Sequence, residues 1–280
     1  MLSDAADAEA WARAGKTNLD VSVPHSARLW NYLLGGKDNF AADRAAAEAL
    51  LAEWPGLKTV AQEDRAFLRR VIGFLASEDG GSYSQWLDIG TGLPQVEATH
   101  EVAQEINPAA RVVYVDNDPL VLAHARALLT SSPKGKTSYI DADLRAPSLI
   151  LDDPDLHATL DLSKPVVLVL GAILHLLDEE WPYAILRALK SALAPGSALV
   201  VTHGSLDKLN KGTVARLKKK DWLQFVPRTR DEIVQFFEGW DLVAPGVTMV
   251  SRWRRDLKRD GPPPRNNQLS MYGGVAIKPR

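Results

Sequence analysis

An α/β architecture, a mostly parallel sheet preceded by a helical extension, follows from three features of the 280-residue sequence. From Ser84 onward, short apolar runs alternate with helix-forming segments, the signature of βαβ units. The first run ends in a glycine-rich turn, Asp88-Ile89-Gly90-Thr91-Gly92. The last two runs have no helical segment between them and read as an antiparallel pair finishing the sheet.

Taken in order, residues 1–20 are polar and alanine-rich. Pro24 opens a stretch, 25–34, whose apolar positions fit a helix stopped by Gly35-Gly36. Helices are expected near 40–53 and 61–76 as well. Strands are expected at 85–89, 111–116, 137–141, 165–171 and 197–203. The intervening helices are expected at 94–106, 118–129 and 178–193, the last two with Asp118 and Asp178 as N-caps. After the fifth strand come a basic helix, a helix around 230–237, and the β-like runs 242–250 and 270–277. The chain therefore divides into a helical extension or lid, 1–60, and an α/β domain, 61–280.

Composition narrows the chemistry. There is no cysteine, which excludes disulfides, thiolate zinc sites and a cysteine nucleophile. The first ten residues carry Asp4, Asp7 and Glu9 and no apolar run, so a cytoplasmic location is expected. The most apolar stretch, 165–177, is too short to span a bilayer and contains His175. Net charge is −2, yet it divides into −10 through His203 and +8 beyond it. Lys208, Lys211, Arg216, Lys218, Lys219 and Lys220 form either a solvated helix face or a surface for an anionic partner such as RNA. Neither His-Glu-x-x-His nor Gly-x-Ser-x-Gly occurs, so neither a catalytic metal nor a serine nucleophile is expected.

The glycine turn carries the strongest signal. Gly90 and Gly92 let the chain bend and let backbone amides approach a ligand. A dinucleotide fingerprint would need a third glycine where Gln95 stands, and Asp88 would lie against two phosphates. An ammonium suits Asp88 better, and S-adenosylmethionine offers one without any phosphate. Asp116, at the tip of the second strand, is placed to accept from both ribose hydroxyls. Its neighbour Asn117 either holds the turn or meets the ligand, and Asp118 competes as a helix cap. Beyond the third strand, Asp143 is placed for an adenine amine and the Leu144 amide for a ring nitrogen. The fourth strand releases the chain at Gly171, and His175 follows where a methyl group would be delivered. His175 reads either as a general base or as a wall residue among Leu174, Leu176 and Leu177.

These residues resemble the class I S-adenosylmethionine-dependent methyltransferases in motif order and type. The stretch SVPHSARLWNYLLGGKDNFAADR, with FFEGWDLVAPGV and the Arg-Trp-Arg after it, is similar to an S-adenosyl methyltransferase family once catalogued as domain of unknown function 574. The resemblance implies a Rossmann-like, seven-stranded sheet with an antiparallel last strand, bound S-adenosylmethionine released as S-adenosylhomocysteine, and helices lying over the cofactor. Pro94, where many such enzymes have a small residue, departs from the pattern. By motif match Asp88, Gly90 and Gly92 go to the methionine end, Asp116 to the ribose, and Asp143 with Leu144 to the adenine. In the N-terminal stretch Tyr32 and Gly36 are candidates for cofactor contact, and Arg28, Lys37 and Asp38 for the acceptor. A helix packed by Leu29, Tyr32 and Leu33 and capped by Gly35-Gly36 is the structural alternative. The expected activity is methyl transfer to a small-molecule acceptor. A cofactor-binding regulatory protein without turnover and an RNA methyltransferase using the basic segment are the rivals.

Overall fold

The computed structural model describes residues 20–94, 97–128, 130–178, 180–220, 224–255, 264 and 269–280. Gln95 and most of the arginine- and proline-rich stretch before residue 269 lie outside them, as do the first nineteen residues.

Three helices precede the sheet: α1 (Ser26–Leu33), α2 (Ala41–Glu53) and α3 (Leu57–Ala76). Gly35 ends α1 in the left-handed conformation at φ +85°. The Gly36 and Gly35 amides donate back to the Asn31 and Tyr32 carbonyls, both at 2.9 Å. That pair of bonds is a Schellman cap. Asp43 joins α1 to α2, since its carboxylate accepts from the Phe40 amide at 2.8 Å and from the His25 amide at 2.9 Å. The long helix α3 runs through residue 60.

The alternating part then follows as β1 (Gln85–Ile89), α4 (Thr99–Ile106), β2 (Arg111–Asp116), α5 (Pro119–Leu128), β3 (Lys136–Asp141), α6 (Pro147–Leu151), α7 (Pro154–Thr159), β4 (Val167–Leu170), α8 (Trp181–Ala192) and β5 (Ala198–Gly204). The C-terminal part holds α9 (Lys211–Leu217), α10 (Arg230–Gln235), β6 (Asp241–Leu242), β7 (Thr248–Met249) and β8 (Met271–Ile277). The sheet order is β3-β2-β1-β4-β5-β8-β6, with β7 also paired to β8. Strands β1 to β5 are mutually parallel, and β8 runs antiparallel to β5, β6 and β7.

Three boundaries depart from the sequence reading. The helix expected from residue 94 begins at Thr99, because Glu97 takes φ +64° and the Glu101 carboxylate caps the Ala98 amide at 2.8 Å. The glycine turn thus has a longer exit loop. Asp178 does not cap the helix after β4, which starts three residues later at Trp181. The run 242–250 is two short strands and not one, interrupted by a turn with Gly246 at φ +79°, which is why eight strands stand where seven were expected.

Both sheet faces are covered, so the parallel strands read as near-continuous apolar runs. Trp86, Val112, Val167, Val169 and Val200 point to the face packed by α1 to α3, and Leu87, Val113, Val115, Leu168 and Val201 to the opposite core. No described helix is long and apolar enough to cross a membrane.

Candidate functional site

A cavity of about 530 Å³ opens outside the carboxyl ends of β1 to β5 and beneath α1 and α2. Its size suits a small-molecule site. Asp88, Gly90, Gly92, Asp116, Asn117, Asp143, Leu144, Gly171 and His175 all line it, drawn together from four strand ends.

Gly90 sits at φ +75°, and a Cβ there would come within 2.7 Å of Ile173, so only glycine fits between the turn and the loop after β4. Gly92, at φ +64°, donates its amide to Asp116 Oδ2 at 2.9 Å. Asp88 is buried and accepts from the Thr99 hydroxyl at 2.6 Å. Burial pushes its carboxyl up to about 6, against the Thr99 hydrogen bond. Asp116 is likewise raised by burial, although the Asp118 and Gly92 amides bond to it. Two buried carboxyls held above their ordinary range make this end of the cavity a receptor for positive or hydroxyl-bearing groups.

Asp143 is held from two sides. Asn117 Nδ2 donates to it at 2.8 Å, and Arg145 donates its backbone amide at 2.8 Å and its guanidinium at 2.9 and 2.8 Å. Asn117 therefore orients Asp143 while lining the cavity itself. Asp118 caps α5 by accepting from the Leu120 amide at 2.8 Å, and His25 Nδ1 lies 3.0 Å from its other oxygen. Burial pushes the Asp118 carboxyl up, but His25, the Leu120 amide and Arg28 together outweigh it and hold it below the ordinary value. Asp118→Ala is expected to destabilise the protein by about 1–2 kcal/mol through the lost cap. The contact from Asp118 to Asp116 uses a backbone amide, which alanine keeps. Thermal unfolding should show the loss while cofactor affinity changes less; a large affinity loss with unchanged stability would reverse the two roles.

The N-terminal candidates are placed differently. Tyr32, Gly36, Arg28, Lys37 and Asp38 are not in the cavity lining. Helix α1 presents Ala27, Trp30 and Asn31 to the cavity instead, with His25 just before it and Leu34 just after it. Tyr32 follows Asn31 by one residue, about 100° round the helix, and its hydroxyl donates to Glu48 on α2. Arg28 is buried, with Nε 3.3 Å from Asp43 and Nη2 donating to the Val23 carbonyl at 2.8 Å. Gly36 packs on Asn31, whose Nδ2 a Cβ would approach to 2.3 Å. Lys37 is exposed, and Asp38 lies 3.8 Å from His124 at the surface.

His175 lines the cavity and is buried against Phe225, their ring centroids 5.1 Å apart. Its Nδ1 accepts from the Gly204 amide at 3.2 Å, so the ring proton resides on Nε2. Burial, assisted by Arg228, lowers it to about 3. A neutral imidazole whose acceptor nitrogen is engaged does not suit a base at neutral pH. The sequence reading missed His25, Asn31, Arg65 and above all Asp64, which lies at an apolar-stripe position of α3 between Val60, Ala61 and Phe67. Among the described residues, no group of three or more His, Asp or Glu side chains is arranged to hold a metal ion.

Part of the basic C-terminal cluster is paired. Arg216 and Lys220 lie 2.5 and 3.8 Å from Glu53 on α2. These contacts dock α9 over the cavity, where Leu217 joins the lining.

A glycine turn after β1, acidic ends on β1 and β2, and an antiparallel β8 inserted between β5 and β6 define the class I methyltransferase fold. The same fold is found in the plantazolicin methyltransferase BpumL, solved with a triazolic desmethylPZN analog and S-adenosylhomocysteine (TM-score 0.54, 13% identity, 91% of this chain and 96% of that one). The chain belongs to the S-adenosyl methyltransferase family, whose model matches residues 12–279. It is similar to a DUF574 family protein from Streptomyces avermitilis at 40% identity and TM-score 0.86, covering 94% of this chain and 100% of that one. A candidate methyltransferase from Thermobifida fusca is 41% identical with TM-score 0.83, covering 93% and 97%. No curated protein matches the chain.

Proposed function

We propose that this protein binds S-adenosylmethionine in the cavity above β1 to β5 and transfers its methyl group to a small-molecule acceptor. The observation that carries the reading is the convergence of Asp88, Asp116 and Asp143, from three successive strand ends, on one cavity behind the Gly90–Gly92 turn. The donor set fits the group. Asp88 suits the methionine ammonium, Asp116 the ribose hydroxyls, and Asp143 with the Leu144 amide the adenine edge. The tight seat of Gly90 against Ile173 leaves the backbone open to close approach. When bound, the cofactor supplies an electrophilic methyl on sulfur.

What the chain contributes is mainly placement. Holding acceptor and donor in line removes on the order of 7–11 kcal/mol from a displacement barrier, so few dedicated catalytic groups are required. Helices α1 and α2 and the docked α9 shield the reacting atoms from water. His175 serves in this reading as a neutral wall and hydrogen-bond donor. Leu68, Leu217, Phe225 and Met271 give part of the wall an apolar surface, which favours a compact organic acceptor over a nucleic acid.

Calorimetry on the full chain tests the reading. S-adenosylmethionine and S-adenosylhomocysteine are expected to bind with one-to-one stoichiometry, and NAD and ATP weakly, because Asp88 and Asp116 repel phosphate. Tight NAD binding without any response to S-adenosylmethionine would overturn it.

A further inference from the structure

The cavity holds a second carboxyl site, at its apolar end, that the cofactor reading leaves unused. Asp64 on α3 is 2% exposed, and its Oδ1 has no hydrogen-bond partner. The carboxyl takes a hydrogen bond from the Thr202 side chain on β5. Thr202 Oγ1 in turn accepts from the Ala172 amide at 2.9 Å, the first bond after β4 releases the chain at Gly171. One turn further along α3, Leu68 lies 3.0 Å from where a Gly171 Cβ would stand. Asp64 is thereby held at the exits of β4 and β5, whereas Asp88, Asp116 and Asp143 hold those of β1, β2 and β3. Every other stripe position of this part of α3, Leu57, Val60, Ala61 and Phe67, is apolar. A buried carboxylate oxygen without a donor is costly, and a merely structural aspartate would have both oxygens satisfied. The missing donor has to come from what occupies the cavity.

We propose that Asp64 receives the protic group of the methyl acceptor, and that the acceptor is an amine or hydroxyl carried on an apolar body. This rests on the methyltransferase reading above. In the transfer step the acceptor nitrogen or oxygen forms its bond to the methyl carbon as the carbon–sulfur bond breaks. Sulfur keeps the bonding electron pair, and the proton released by the acceptor passes to Asp64 Oδ1. Charge balances, since a sulfonium and a carboxylate give a thioether and a carboxylic acid. Burial, opposed by Thr202 and Arg65, pushes the Asp64 carboxyl up to about 7, a value suited to taking a proton near neutrality. Met271 and Phe225 line the same end of the cavity and suit the apolar body.

The test uses two cofactor analogues and does not require the acceptor. S-adenosylhomocysteine lacks the transferred group, whereas sinefungin carries a primary ammonium where the methyl is presented. At about pH 8, where Asp64 is ionised, the full-length protein is expected to prefer sinefungin by about tenfold or more. Asp64→Asn is expected to reduce that preference to within about twofold while leaving S-adenosylhomocysteine affinity unchanged. On the unaltered protein, lowering the pH to about 6 should shrink the preference in the same direction. The other ionisable groups lining the cavity are Arg65 on α3, His25, Asp88, Asp116, Asp143, Arg145 and the neutral His175, and Asp88 is itself pushed up to about 6, so the substitution isolates Asp64 and the pH series supports it. An equal loss of both affinities in Asp64→Asn would place Asp64 at the methionine end and overturn the proposal. A preference unmoved by substitution and by pH would overturn it as well. If neither analogue binds the unaltered protein, the methyltransferase reading itself fails.

Discussion

Asp64→Asn is expected to raise the melting temperature of the free protein at about pH 8, by a few degrees. The reason is linkage. In the folded chain burial holds the Asp64 carboxyl at about 7 against an ordinary 3.8, so the native state binds its proton more tightly than the unfolded chain does. The stabilisation from that extra proton is complete below the unfolded value and is lost as pH rises through the folded one. A shift of roughly three units corresponds to about 4 kcal/mol of native-state penalty once the group is ionised. Asparagine carries no charge but still buries an underused polar group, costing about 1–3 kcal/mol, so the net gain is about 1–3 kcal/mol. Thermal unfolding of both proteins from about pH 4 to pH 8 checks it. The gap should be small at the acid end and open as pH rises towards 7. A variant that is less stable throughout would mean that Asp64 is satisfied in the folded chain and belongs to the scaffold.

Asp116→Ala is expected to weaken binding of S-adenosylmethionine by about 1.5–3 kcal/mol, roughly 10- to 100-fold in dissociation constant. At the tip of β2 two backbone amides position this carboxylate, Gly92 at 2.9 Å on one oxygen and Asp118 at 2.9 Å on the other. Removing it takes away the ribose acceptor and also releases the glycine turn that closes on the methionine end. The effect therefore belongs near the upper limit. Calorimetry of the variant beside Asp116→Asn separates the two contributions, because the amide retains an acceptor for one backbone N–H. Unchanged affinity in Asp116→Ala would remove the ribose assignment.

Much of this architecture was legible in the residue pattern. The strands β1 and β2 have the expected bounds, and β3, β4 and β5 differ from theirs by one or two residues, because buried parallel strands leave continuous apolar runs bounded by turn residues. The glycine turn was legible because φ beyond +60° at Gly90 and Gly92 demands that residue type. Helix starts were less so. Asp178 satisfies the statistics of a cap, but Pro182 and the preceding turn move the start to Trp181. Within α1 the pattern marked the polar helix without its rotation. The pattern pointed to Tyr32 for the ligand, but packing of α1 on α2, through Arg28 and Asp43, turns its neighbour Asn31 to the cavity and Tyr32 to Glu48.

Local sequence thus determined the fold class, the acidic strand ends and their common crevice, because backbone periodicity and turn chemistry act over a few residues. Tertiary structure alone decided three other matters: that His175 is neutral and bonded to the Gly204 amide, that Asn117 and Arg145 grip Asp143, and that Asp64, beside Thr202, keeps one oxygen without a partner. Each depends on groups brought together from distant parts of the chain, and on the loss of water around them. Burial sets the charge state of an ionisable side chain, and burial is a property of the assembled core that no stretch of sequence carries by itself.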